Sequence, residues 1–121
     1  MQGNRAERLV RAELDAWSRL DVDAIMAPFA VDAVWQAAPN VTFHGRDEIL
    51  AAVGEYVGRM KSAELRVVNL AVDGDKVFTE RIDTFDYEGR HIAVRLMGIF
   101  ETADGKITAW RDYYDVGSHD T

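Results

Sequence analysis

Along the first half of the chain, apolar residues recur at helical spacing. Val10, Leu14 and Trp17 fall at i, i+4 and i+7 within NRAERLVRAELDAWSRL (residues 4–20), which predicts a helix with one apolar stripe and Asn4 as its cap. DVDAIMAPF (21–29) predicts a short second helix, started at Asp21 or Asp23 and ended near Pro28. AVWQA (33–37) reads as a short strand and APNVTFHG (38–45) as a loop. RDEILAAVGEYVGRMK (46–61) predicts a third helix with Ile49, Val53, Tyr56, Val57 and Met60 on one side, although Gly54 and Gly58 weaken it.

After residue 61 the period changes from helical to alternating. ELRVVNLAV (64–72), KVFTERIDTFDY (76–87), HIAVRLMGIFET (91–102) and ITAWRDYYDV (107–116) predict four strands. Turn signals at 73–75, 88–90 and 102–106 separate them, as expected of an antiparallel meander. Helices followed by a meander define an α+β architecture. A strongly curved sheet with about three N-terminal helices over its concave face would enclose a cone-shaped pocket. This order resembles the cystatin-like α+β cone of the nuclear transport factor 2-like superfamily, a fold that hosts many functions. No repeat or linker interrupts the pattern, so residues 1–121 are expected to form a single domain.

Strand parity raises the chemical question. Val77, Thr79, Arg81, Asp83 and Phe85 share one face of the second long strand, and Ile92, Val94, Leu96, Gly98 and Phe100 share one face of the third. In the last strand Thr108, Trp110, Asp112 and Tyr114 lie opposite Ile107, Ala109, Arg111, Tyr113 and Asp115. If Arg81, Asp83 and Asp112 point inward, an arginine and two carboxylates sit among aromatic and aliphatic side chains. There an arginine can satisfy both acids, and their pKa values tend to separate. Parity alone equally allows solvated cross-strand pairs of little energetic weight. With the opposite parity, Glu80 and Arg111 face inward and the constellation dissolves.

Composition narrows the partners. The 121 residues are 48% hydrophobic, enough for one core, and carry a formal charge of −7, which disfavours nucleic acid or an anionic membrane. Cysteine is absent, which excludes disulfides and thiolate chemistry. MQGNRAERLV has no long apolar run, so neither signal peptide nor membrane span is expected and a cytoplasmic location is the default. No His/carboxylate cluster has metal-ligand spacing, so no metal is expected.

TERID (79–83) followed by GKITAWRDYYD (105–115) resembles the limonene-1,2-epoxide hydrolase family, as do HGRDEI (44–49) and GIFETADGKIT (98–108). The resemblance covers most of the chain after residue 30. It implies a small hydrophobic epoxide as substrate and one-step attack of water, without metal, cofactor or covalent intermediate. It casts Asp83 as general acid, Asp112 as general base and Arg81 as the bridge between them. Substrate-pocket positions would include Trp35, Ala37, Val94, Leu96, Trp110 and Tyr114.

VWQAAP (34–39) departs from the family. The family carries a water-holding tyrosine and asparagine where this chain has Trp35 and Ala37. Tryptophan donates but cannot accept a hydrogen bond, and alanine does neither. Either Asn40, Thr42 or His44 in the following segment holds the water, or the nucleophile is a hydroxyl of the substrate itself, as in an epoxide-opening cyclase. Alternatives on the same cone are a ketosteroid-isomerase-like or polyketide-cyclase-like enzyme, and a non-catalytic ligand-binding module.

Among lesser signals, Trp17, Met26, Phe29 and Phe43 suit the core better than the cavity mouth. His44 suits a cap or solvent, His91 lies opposite the pocket, Asp115 has the wrong parity, and His119 is in the tail. Arg95, Met97 and Tyr113 on the outer face suit a homodimer interface.

Overall fold

A computed structural model describes residues 4–116. Three helices, α1 (Arg5–Ser18), α2 (Val22–Met26) and α3 (Gly45–Gly58), accompany six strands. The strands are β1 (Phe29–Ala38), β2 (Val41–His44), β3 (Met60–Asp73), β4 (Lys76–Tyr87), β5 (Arg90–Ala103) and β6 (Lys106–Tyr113). They form one sheet in the order β2-β1-β6-β5-β4-β3. The last four strands are the expected antiparallel meander, and β1 joins its edge parallel to β6. The result is the α+β cone: α1 packs over β3, and α3 over β1 and β2.

Local chemistry explains the helix starts. The Asn4 side chain accepts from the Glu7 N–H at 2.7 Å, and Asp21 accepts from the Ala24 N–H at 3.1 Å. Arg46 fixes the α2–β1 junction by donating to the carbonyls of Met26 (2.6 Å) and Phe29 (2.9 Å). The core gathers Val10, Leu14 and Trp17 from α1, Ile49 and Val53 from α3, and Val77, Phe100, Ile107 and Trp110 from the sheet.

Four expectations need correction. The second helix stops at Met26, because the chain from Phe29 onward is β1, pairing with β6 rather than extending the helix. Residues 38–45 are not all loop: Val41–His44 pair back on β1 as β2, through a tight turn at Pro39 and Asn40. β3 begins at Met60, four residues before the apolar alternation, because its start pairs with Tyr87 and Asp86 across the hairpin. β6 ends at Tyr113, and a register shift opposite Glu101 and Thr102 sets two of its residues against one. The shift turns Ile107 inward beside Trp110, on the face that simple alternation denied it.

Candidate active site

β4 delivers three polar side chains to the inner face at alternate positions, Thr79, Arg81 and Asp83, and all are buried. β6 delivers Trp110 and Asp112, also buried. The Arg81 guanidinium joins the two acids. Its Nε and Nη2 donate to Asp83 Oδ1 (3.1 Å) and Oδ2 (2.8 Å), while Nη1 and Nη2 donate to Asp112 Oδ1 (3.2 Å) and Oδ2 (2.9 Å). Nη1 also donates to the Thr79 hydroxyl at 3.0 Å, which in turn donates to the Gly98 carbonyl at 3.3 Å. The Trp110 indole N–H adds a bond of 2.8 Å to Asp112 Oδ1. The donors of Arg81, Thr79 and Trp110 thus meet a carboxylate, a hydroxyl or a backbone carbonyl, as a buried ionic cluster requires.

The cluster closes over a missing side chain. Gly98 of β5 stands opposite Thr79 on one side and Asp112 on the other. A Cβ at this position would collide with Asp112 Oδ1 and come within 2.6 Å of Arg81 Nη1. A glycine inside a strand marks a close approach of this kind.

Burial shapes the charges. It pushes the Asp112 carboxyl above its usual range; Arg81's charge and hydrogen bonds pull the other way, and the Asp83 charge adds to the rise. Burial also works against the Arg81 charge, but Asp112 and Asp83 outweigh it and hold the guanidinium above its ordinary value. The arginine therefore remains a cation throughout the accessible pH range.

Asp83 and Asp112 face a cavity of about 250 Å³ with an otherwise mostly apolar wall. Trp35, Ala37, Val94, Leu96, Trp110 and Tyr114 line it, together with Trp17, Tyr56 and Tyr87. Trp35 packs among Trp17, Phe43, Tyr56 and Trp110 in tilted and edge-on contacts, with ring centroids 5.5–5.9 Å away. The indole nitrogens of Trp17 and Trp35 are sealed in the interior without hydrogen-bond partners.

Other candidates lie elsewhere. Asn40, Thr42 and His44 are exposed and do not line the cavity, because the β1–β2 hairpin turns their side chains outward; the expectation that one of them holds a water is corrected. His91 is exposed and meets Asp86 at 3.3 Å. Met26 and Phe29 are core, Phe43 is partly buried behind Trp35, Asp115 is exposed, and His119 lies outside the described residues. Among the described residues, no group of three His, Cys, Asp or Glu side chains is placed to hold a metal ion.

Sequence reasoning gave no role to Thr79, Gly98 or the Trp110 N–H. A glycine at an inward position of a long apolar strand was the available signal for Gly98. Nothing in the sequence distinguishes the Trp110 indole from an ordinary pocket wall.

Residues 4–119 match the family of the limonene-1,2-epoxide hydrolase catalytic domain, and the chain belongs to that family. Epoxide hydrolase EphG of Mycobacterium tuberculosis (strain ATCC 25618 / H37Rv) is 32% identical over 107 residues, covering 88% of this chain and 71% of EphG. The solved structure of an M. tuberculosis epoxide hydrolase like limonene-1,2-epoxide hydrolase superposes with a TM-score of 0.85 at 31% identity, over 93% of this chain and 84% of that one. A putative polyketide cyclase from Xanthomonas campestris pv. campestris shares the fold, with a TM-score of 0.82 at 23% identity over 93% and 92% of the two chains.

Proposed function

We propose that this chain opens a small hydrophobic epoxide in a single acid–base step at Asp83, Arg81 and Asp112. One observation carries the reading: a buried guanidinium hydrogen-bonds two carboxylates, and both carboxylates face the same largely apolar cavity. Asp83 gives its proton to the epoxide oxygen as the strained C–O bond breaks. Asp112 takes a proton from the attacking oxygen as the new C–O bond forms. A carboxylate of ordinary pKa is a feeble base; burial raises the proton affinity of Asp112, while three N–H bonds keep its ionised form attainable. Turnover leaves the proton on Asp112 and the charge on Asp83, and exchange with solvent resets the pair around the same guanidinium. The apolar wall orients the substrate against the acids.

With water as nucleophile the product is a vicinal diol. A second version, in which a hydroxyl of the substrate attacks and a cyclic ether forms, is favoured by Trp35 and Ala37, which give the wall no acceptor at their positions. We also propose that the chain pairs with a second copy through the opposite sheet face, where Val68, Met97 and Tyr113 are exposed.

Asp83→Asn and Asp112→Asn test the core of the proposal on a panel of epoxides. Each is expected to lower kcat/KM by about 10²- to 10⁴-fold with the circular dichroism spectrum unchanged. Turnover equal to the parent's by either variant rejects the acid–base assignment. Products formed in ¹⁸O-labelled water separate the two nucleophiles: diol carries the label, cyclic ether does not.

A further inference from the structure

An oxygen that attacks a carbon must be held by more than the base that deprotonates it. Asp112 can take one hydrogen of a water, but a second contact is needed to aim the lone pair at one epoxide carbon. The positions expected to supply that contact do not. Trp35 presents its ring and keeps its N–H sealed inside, Ala37 has no polar atom, and Asn40, Thr42 and His44 point away from the cavity.

Apart from the two acids, the polar side-chain groups on the described wall are the indoles and three phenols, those of Tyr56, Tyr87 and Tyr114. Tyr114 stands apart from the other two phenols. It follows Asp112 by two residues, immediately beyond the end of β6, and lines the same cavity as both carboxylates. Burial raises its phenol first, and the charges of Asp112 and Asp83, together with Tyr56, add to the rise, so the hydroxyl lies within electrostatic reach of both acids. Tyr56 feels burial and Tyr87 instead. A raised phenol keeps its proton at neutral pH and remains both donor and acceptor.

We infer that Tyr114 is a further catalytic residue, whose hydroxyl holds the attacking water against Asp112. The inference rests on the epoxide-opening reading above. One water hydrogen goes to Asp112 and the other to the Tyr114 oxygen, which accepts it as a neutral phenol. Fixing both hydrogens sets the orientation of the oxygen, so that one of its two free lone pairs points at a single epoxide carbon. In the step itself water oxygen bonds carbon, the ring C–O bond breaks, Asp112 gains a proton and Asp83 loses one; Tyr114 begins and ends as a neutral phenol.

The test uses 1-methylcyclohexene oxide in ¹⁸O-labelled water, with the label position in the diol read by mass spectrometry. Relative to the parent, Tyr114→Phe is expected to lower kcat by about 10- to 100-fold with KM within about twofold. It is also expected to relax the preference for one ring carbon, which a merely structural tyrosine would not affect. Tyr114→His, which restores a ring donor and acceptor, is expected to recover part of the rate and guards against a folding defect in the phenylalanine variant. If the parent is active and Asp112→Asn is silent, yet Tyr114→Phe matches the parent in rate and label position, the role of Tyr114 is overturned while the acid–base reading stands. If the parent gives no labelled diol, the water-holding role of Tyr114 falls alone; if Asp112→Asn is as active as the parent, both fall.

Discussion

Two buried acids behave differently because their neighbours differ. Asp112 is surrounded by donors, and its raised proton affinity sets a pH limit on catalysis. It must be ionised to accept a proton, so kcat/KM is expected to fall as pH drops through its raised pKa, on a limb lying above the ordinary carboxylate range. A pH–rate profile checks this, and a limb at or below that range contradicts it. Glu13 of α1 has no such company. It is fully buried, neither oxygen has a well-formed hydrogen bond, and burial pushes its carboxyl well above the usual range, with the nearby Trp17 indole offsetting only part of the rise. An acid whose pKa is higher folded than unfolded stabilises fully below the unfolded value, and that stability is lost as pH rises through the folded value. Glu13→Met is therefore expected to raise stability by roughly 1–3 kcal/mol at pH 8. The gain should shrink toward pH 4, and urea titrations at both pH values read the difference. The alternation in KVFTERIDTF placed Arg81 and Asp83 on one face of one strand; the second acid came from WRDYYD at compatible parity. Glu13 was invisible because an acid at a helical position ordinarily faces water.

At the scale of elements, the site is a crossing of three neighbouring strands. β4 and β6 are not paired with each other; β5 lies between them, and Arg81 reaches Asp112 across Gly98. Gly98→Ala is expected to keep the fold and lower kcat/KM by about 10²-fold, because the added carbon displaces the guanidinium from Asp112 by a fraction of its bond length. Steady-state kinetics with a melting curve separates this outcome from unfolding. Long apolar strands bounded by DGD and EGR were legible from alternation and turn residues. Two features were not. β2 has only four residues and half of them are exposed, so its pattern is weak. The shifted register of β6 turns Ile107 inward, and a two-residue period cannot express an extra residue in one strand.

The whole molecule has two unlike sheet faces. The inner face is wrapped by helices and holds the cavity; the outer one carries Val68, Met97 and Tyr113, each at least 43% exposed. A second copy of the chain would cover them, and Met97→Arg is expected to shift a concentration-dependent dimer toward monomer in sedimentation velocity while leaving the sheet intact. A parent that sediments as a monomer at all concentrations contradicts the pairing. The cone was legible because helices precede a meander, but the position of β1 was not: parallel pairing between the first strand and the last is a long-range choice that no local pattern encodes.

All three tryptophans of the chain, Trp17, Trp35 and Trp110, line the same cavity as the two acids. The chain's intrinsic emission is therefore, in effect, the emission of its site. An occupant of the cavity changes the surroundings of all three indoles at once, and Trp110 reports on Asp112 through the proton it donates. The fold has in this way fitted its own optical sensor, by which binding can be followed without dye or label.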